Sequence, residues 1–239
     1  MDHVARLTRL NRLLLHGCDK VTDAGLAKLA ALGSLANLTI FHADITVAGL
    51  NRLKGMPRLT HVQVLGLRRG GATLDVSGLT GLECLLLSMD SFSEKFGDAD
   101  LKCLSGPEHL GDLQIGPRDY TNAGLASLAG LAGLRRLSIG GSRLTDEGLQ
   151  HLANMKELYH LQVLSGFDRD KPGYVSGGHI TDQGLRFLER FQRLNFLEIY
   201  SDGDFSDAAL RRLQEALPNL FTLRINGANM ALGAPPAGL

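Results

Sequence analysis

The sequence predicts an α/β solenoid, a stack of strand-and-helix units that share one continuous core. Three observations predict it. Leucine makes up 47 of the 239 residues, whereas tryptophan is absent and aromatic residues are only 5%, so leucine must fill the interior. The leucines recur nine times in one pattern, Leu-x-x-Leu-x-Leu with some Ile and Val. A second pattern, Thr-Asp-x-Gly-Leu, follows most of these copies, and two linked, recurring patterns are typical of stacked repeats.

The first pattern predicts the strands. Its Leu-x-Leu centre alternates with period two, which is typical of a short strand with one buried face. Successive copies begin 23 to 28 residues apart, except for one step of 36 residues. The nine copies begin at Leu10, Leu35, Leu59, Leu82, Leu110, Leu134, Leu158, Leu194 and Leu220.

The second pattern predicts the helices. In its first copy, Thr22 is expected to cap a free backbone N–H, and Asp23 lies at the positive start of the helix dipole. Leu26 and Leu29 follow at helical spacing and are expected to point the same way as the strand leucines. Gly25 is expected to allow a close backbone approach. One unit cannot bury its own leucines, so the units must stack.

Three repeats depart from the pattern. The third lacks Thr-Asp-x-Gly-Leu, so residues 70–82 predict either a short helix or an irregular turn. The fourth carries extra residues around positions 91–98. The seventh, whose step is 36 rather than 24 residues, holds an insertion within residues 166–179 with the composition of a loop. This insertion is expected either to overhang the strands with Phe167 and Tyr174 or to be a tolerated surface insertion.

The sequence also predicts the bounds of the domain and the character of both ends of the chain. Residues 1–229 are predicted to form a single domain, and residues 230–239 a disordered tail. Solenoids usually need capping units at their ends. Either residues 1–9 therefore provide such a cap, or the chain is part of a longer protein.

Composition and charge argue against several classes of protein. The longest uncharged run, residues 120–134, has 15 residues, fewer than the roughly 20 of a membrane span. The first residues lack the apolar core of a secretory signal. Three cysteines fit neither a disulfide framework nor a zinc site. The formal net charge of zero argues against a nucleic-acid partner. The sequence therefore predicts a cytoplasmic protein, monomeric, with no membrane association, metal or cofactor.

The two patterns resemble the leucine-rich repeat superfamily over about residues 7–229. The Thr-Asp-x-Gly-Leu segment is similar to its ribonuclease-inhibitor-like, cysteine-containing class, found in bacterial repeat proteins and in F-box-associated repeat proteins. The resemblance implies a horseshoe with a concave parallel β-sheet and helices on the convex side. It also implies that the third, fifth and seventh residues of each strand pattern face the concave side.

These implied concave positions vary from repeat to repeat while the leucine frame stays fixed. That contrast favours a non-catalytic protein–protein interaction module that binds a protein partner on its concave face. The apolar members form either two recognition patches or singly exposed side chains of no special role. The candidate partner-binding residues are Arg12, Leu14, Phe41, His61, Leu65, Leu86, Asp112, Arg136, His160, Leu164, Phe196 and Tyr200, with Phe167 and Tyr174 from the insertion.

Two alternatives to this interpretation remain open. The resemblance to F-box repeat proteins allows a substrate-recognition arm of a ubiquitin-ligase adaptor, although regular 24-residue steps favour a bacterial protein. An enzyme would use His61, Cys84 or Asp112 on adjacent strands, but the sequence lacks a nucleophile elbow, a phosphate loop and a zinc-binding helix motif. The neutral charge is itself a cancellation, because residues 1–69 carry net +6 and residues 70–119 net −6.

Overall fold

The computed structural model describes residues 1–89, 95–116, 119–141, 143–165 and 179–230. The chain divides into two compact units, Met1–Arg118 and Asp119–Leu239. The expectation of one domain over residues 1–229 stays a prediction. Residues 231–239 lie outside the described residues, and the backbone N–H of Met230 donates a hydrogen bond to the Leu223 carbonyl at 2.8 Å.

Unit 1 contains five parallel strands that follow one another in chain order. They are β1 (Arg12–Thr22), β2 (Asn37–Asp44), β3 (His61–Leu67), β4 (Cys84–Met89) and β5 (Asp112–Gly116). Its helices are α1 (Asp2–Ala5), α2 (Asp23–Ala27), α3 (Val47–Leu50) and α4 (Asp98–Leu101), and the last three continue as 3-10 helices at Lys28–Ala31, Asn51–Gly55 and Lys102–Ser105.

Unit 2 repeats this arrangement and adds a hairpin. Its parallel strands are β6 (Arg136–Gly141), β7 (His160–Ser165), β8 (Phe196–Tyr200) and β9 (Thr222–Ile225), and β10 (Ala228–Asn229) pairs antiparallel with β9. Its helices are α5 (Asn122–Ala126), α6 (Asp146–Gln150), α7 (Asp182–Leu188) and α8 (Asp207–Ala216). The nine strands β1–β9 coincide with the nine copies of the leucine pattern.

The core of each unit is the leucine frame. In the first repeat Leu26, Leu29 and Leu32 are at most 1% exposed. They are three residues apart, which matches the period of the 3-10 helix into which α2 continues. The third repeat, for which the sequence allows a helix or a turn, has irregular turns over residues 70–83, and Leu74, Val76 and Leu79 are still buried there.

The Thr-Asp pair links neighbouring repeats in an arrangement that we call the interrepeat clamp. The backbone N–H and hydroxyl of Thr46 donate hydrogen bonds to the two carboxylate oxygens of Asp23, at 2.8 and 2.6 Å. In the same way, the backbone N–H and the hydroxyl of Thr181 donate hydrogen bonds to the Asp146 carboxylate, at 2.8 and 2.6 Å. Further clamps join Asn122 to Thr145 and Asp182 to Ser206. The acid therefore fixes the next repeat, beyond its expected role at the helix start.

The glycine of the pattern makes room for this clamp. A Cβ atom at Gly49 would overlap the Asp23 carboxylate, and one at Gly184 would overlap that of Asp146. The expected close approach is therefore confirmed, although its partner is a side chain rather than the backbone. The last copy has Ala209 instead, and its N-cap Ser206 has φ −71° where the other described clamp residues have φ between −105° and −131°.

The capping expectation is only partly correct. Thr22 occupies the N-cap position of α2, but its side chain makes no capping hydrogen bond. The Thr46, Thr181 and Ser206 oxygens do accept such bonds, from the N–H groups of Gly49, Gln183 and Ala209. Thr22 lies in the first of the nine repeats. No aspartate of an earlier described repeat therefore accepts a hydrogen bond from it, as Asp23 does from Thr46.

The fourth repeat replaces the clamp by a buried ion pair. Its segment Gly97 to Leu101 follows the second pattern, but Asp100 stands where glycine is expected. The third repeat offers no acid to fill this space, and Asp100 fills it with no exposed surface. Its carboxylate accepts hydrogen bonds from Arg69 Nη1 and from the N–H groups of Leu74 and Gly97, each at 2.8 Å.

Acid is expected to weaken unit 1 through Asp75. Hydrogen bonds from Lys54, at 2.8 Å, and from Ser77, at 2.6 Å, lower the pKa of the Asp75 carboxyl below its ordinary value of 3.8. Such a carboxyl stabilises the fold above its unfolded pKa, and this contribution is lost as pH falls through the folded pKa.

Urea unfolding across pH tests this expectation. Asp75→Asn should be less stable than the wild type at neutral pH. The difference should shrink as pH falls below about 4, the pKa of an aspartate in the unfolded chain, and should disappear below the lowered pKa of the folded carboxyl. A difference of the same size at every pH would contradict the assignment. Lys54→Ala should reproduce the loss at neutral pH, because Lys54 supplies the largest contribution to the lowered pKa of Asp75.

Candidate functional site

The unit 1 strand face consists of the side chains of β1–β5 that point away from the leucine core. Burial alternates along most of these strands, so the candidate positions are more exposed than the leucine-frame residues beside them. The structure places seven sequence-predicted residues on this face: Arg12, Leu14, Phe41, His61, Leu65, Leu86 and Asp112.

Four of these residues form what we call the apolar row: Leu14, Phe41, Leu65 and Leu86. Phe41 and Leu65 are direct partners in the β2–β3 register. Leu14 pairs with Thr39, two residues before Phe41, and Leu86 stands two residues before Ser88, the partner of Leu65. The row is therefore continuous across four strands through direct and diagonal neighbours. Leu14 is 61% exposed, and the other three are half-buried.

Two histidines adjoin the apolar row. The His16 ring meets the Phe41 ring edge-on, with centroids 5.8 Å apart, and lies 6.4 Å from the His42 ring. His42 has φ 52°, a left-handed conformation that is uncommon outside glycine. The row therefore ends beside two rings that combine apolar faces with hydrogen-bonding nitrogens.

The third position of each strand pattern carries polar groups beside the apolar row. It runs from Arg12 in β1 to Asp112 in β5, so it changes from basic to acidic across unit 1. His61, Cys84 and Asp112 are neighbours in register, as the enzyme hypothesis requires. The Cys84 thiol donates to Asp112 Oδ2 at 3.8 Å, and His61 Nδ1 lies 2.9 Å from the Thr60 hydroxyl.

The unit 2 strand face holds the remaining described candidates. The His160 and Phe196 rings are stacked, with centroids 4.2 Å apart and planes 3° from parallel. The Arg224 guanidinium lies 5.8 Å from the centroid of Phe196. Leu164 and Tyr200 are register partners, and exposed Arg136 pairs with His160 in the β6–β7 register. Phe167 and Tyr174 lie outside the described residues.

A buried polar chain crosses the same face, and sequence reasoning missed it. The Ser138 hydroxyl donates to Gln162 at 2.9 Å, and the Gln162 amide donates to Glu198 at 2.8 Å. Ser138 and Glu198 are only 6% and 8% exposed, so these two fifth-position side chains are buried within this polar chain. Glu198 also lies 3.8 Å from Arg224. A signal for this chain is present in the sequence, because the fifth position is polar in five consecutive repeats.

The helices of the described ranges are all too short, or too polar, to cross a lipid bilayer.

Comparisons with known proteins give a likeness in structure alone. No protein-family model matches the chain, and no curated protein is similar to it in sequence. Internalin C2 of Listeria monocytogenes 4b F2365 superposes with a TM-score of 0.58 at 22% identity, covering 89% of this chain and 80% of that one.

Two further solved structures are similar. Internalin F of the same organism has a TM-score of 0.59 at 17% identity, covering 95% of this chain and 64% of that one. The plant peptide hormone receptor RGFR1, solved in complex with RGF2, has a TM-score of 0.50 at 12% identity, and 93% of this chain spans 37% of it. The ribonuclease-inhibitor-like class stays a prediction. Together with the nine repeated strands, these likenesses show that the chain has the α/β leucine-rich-repeat fold.

Proposed function

We propose that this chain is a non-catalytic module that binds a polypeptide partner on its unit 1 strand face. The observation that carries the proposal is the apolar row, which presents Phe41 and Leu65 side by side and Leu14 at 61% exposure. Exposed apolar side chains that continue from strand to strand are typical of an interaction surface, whereas a single exposed leucine is not.

Charge supports a preferred orientation for this partner. The third-position residues begin with Arg12 in β1 and end with Asp112 in β5, which follows the change from net +6 in residues 1–69 to net −6 in residues 70–119. A partner with the opposite distribution would be steered into one orientation, while the apolar row supplies the desolvated contact.

The similar solved structures add support of a general kind. RGFR1 was solved in complex with RGF2, so a protein of similar fold takes a peptide hormone as its partner. The partner of this chain is proposed as a polypeptide on that ground and on the character of the apolar row. The role as a ubiquitin-ligase recognition arm, a bacterial source and a cytoplasmic location stay predictions.

Replacing Phe41 with alanine is expected to weaken partner capture. Phe41 is half-buried at the centre of the apolar row, in contact with His16, and aromatic residues in such positions dominate binding energies. When the wild type and variants are used as bait in lysate from the source cells, Phe41→Ala should lower the affinity for the captured protein about 10- to 30-fold.

Phe187→Ala is the matched control for this measurement. Phe187 lies on α7, where Arg190 covers its ring at 5.8 Å, and it is also half-buried. The same aromatic deletion is therefore made away from the strand faces, and capture should be unchanged. Equal capture by the wild type, Phe41→Ala and Leu65→Ala would remove the apolar row from the binding surface.

A further inference from the structure

We call the side of β1 that faces away from β2 the open edge, because no described strand pairs with it. Among the described residues, only β2 pairs with β1, which is 11 residues long. The Asn11 carbonyl accepts hydrogen bonds from the N–H groups of Ala36 and Asn37, so it points towards β2. Because successive residues of a strand direct their backbone groups to opposite sides, Arg12, Leu14 and His16 direct theirs to the open edge.

The core beneath this edge is also incompletely covered. Leu13 and Leu15 of β1 are half-buried, whereas Leu38 and Ile40, their partners in β2, are at most 1% exposed. Helix α1 covers the helix side of the first repeat, where Asp2 forms an ion pair with Lys28 at 2.6 Å. In unit 2, by contrast, β10 pairs with the outer edge of β9.

The open edge is basic. Residues 6–20 carry four basic side chains and one acidic side chain, Asp19, which is a net charge of +3. Arg6 and Arg9 lie in the turn that leads into β1, and Arg12 begins the strand. Within the described part of the chain, these three arginines form no ion pair or side-chain hydrogen bond, so their charges are available to a partner.

We propose that the β1 edge binds an extended, acidic segment of a partner polypeptide by strand addition. The partner's backbone would bond to the N–H and carbonyl groups of Arg12, Leu14 and His16, as in other complexes that extend a sheet. Its carboxylates would meet Arg9 and Arg12. A second copy of this chain fits poorly, because it would bring one segment of net charge +3 against an identical one. Leu14 belongs to both surfaces: its side chain is part of the proposed apolar row, whereas its backbone groups are part of the open edge.

Removing one backbone N–H group from the open edge tests the proposal. Proline is tolerated in an edge strand where its missing N–H faces solvent, so Leu14→Pro removes one donor from the open edge and leaves the β1–β2 hydrogen bonds in place. Leu14→Ala is the matched control, since it loses the same side chain and keeps the N–H. The probe is a synthetic heptapeptide of alternating glutamate and valine. Its affinity should be about tenfold lower for Leu14→Pro than for Leu14→Ala.

Amide hydrogen exchange of the wild type provides a second measurement that does not depend on how a variant folds. The glutamate peptide should protect the N–H groups of Arg12, Leu14 and His16, and a lysine–valine peptide should not. Equal affinities of Leu14→Pro and Leu14→Ala, or no protection of these amides, would overturn the proposal. Protection that appears without peptide and rises with protein concentration would assign the edge to a second copy and would also overturn it.

Discussion

Replacing Asp100 with alanine is expected to lower the free energy of unfolding by about 3–5 kcal/mol, because removing one member of a buried ion pair leaves its partners uncompensated. Asp100 has no exposed surface, and its carboxylate binds Arg69 and two backbone N–H groups that belong to different repeats. The loss should be measured as the shift in urea unfolding followed by circular dichroism.

The neighbouring arginine supplies the matched control. Arg68 also forms an ion pair with an aspartate, Asp44, but these side chains are 52% and 45% exposed. Exposed pairs contribute about 0–1 kcal/mol, so Asp44→Ala should change stability by no more than that. The comparison holds the chemistry of the pair constant and changes its burial. Similar losses for Asp44→Ala and Asp100→Ala would contradict the role given to the buried pair.

Gly49→Ala is expected to destabilise the chain by about 2–4 kcal/mol, through overpacking and the loss of clamp hydrogen bonds. The added Cβ would overlap the Asp23 carboxylate and force it away from Thr46. Gly55→Ala is the control in the same unit, since a Cβ there meets nothing within 4 Å. Thermal and urea unfolding should separate the two variants clearly.

A double variant tests the mechanism of this loss. Asp23→Ala alone should cost the clamp hydrogen bonds, but once the carboxylate is gone, Gly49→Ala should cost little more. The fourth repeat is a natural example of a side chain at the glycine position. Asp100 occupies that position, and the preceding repeat supplies no carboxylate that would overlap it. Losses from Asp23→Ala and Gly49→Ala that simply add would mean that the clamp is not what requires glycine.

The repeated frame was predictable because periodicity is a local property of the sequence. Leucines such as Leu38, Leu85 and Leu197 recur at one position, and each is at most 1% exposed in its strand. The register followed as well, since equivalent positions of parallel repeats must lie side by side. The repeat pattern therefore predicts that Phe41 and Leu65 are neighbours, and they are direct partners in the β2–β3 register.

The remaining features depend on contacts between repeats, which a single repeat does not reveal. The sequence pattern places Asp23 at the start of its own helix, whereas its carboxylate binds Thr46 in the next repeat. Asp100 was missed because its fourth-repeat segment carries aspartate where the pattern has glycine. The burial of Glu198 is accompanied by hydrogen bonding through Gln162 to Ser138, which joins three repeats.

Site-specific photo-cross-linking can show directly whether the unit 1 strand face binds a polypeptide. Benzoylphenylalanine would replace Phe41 in one variant and Phe187 in another, so that the same reactive ring stands on the strand face or on α7. The captured partner should become cross-linked through position 41 and not through position 187. Cross-linking through position 187 alone, or equally through both positions, would contradict binding on the unit 1 strand face.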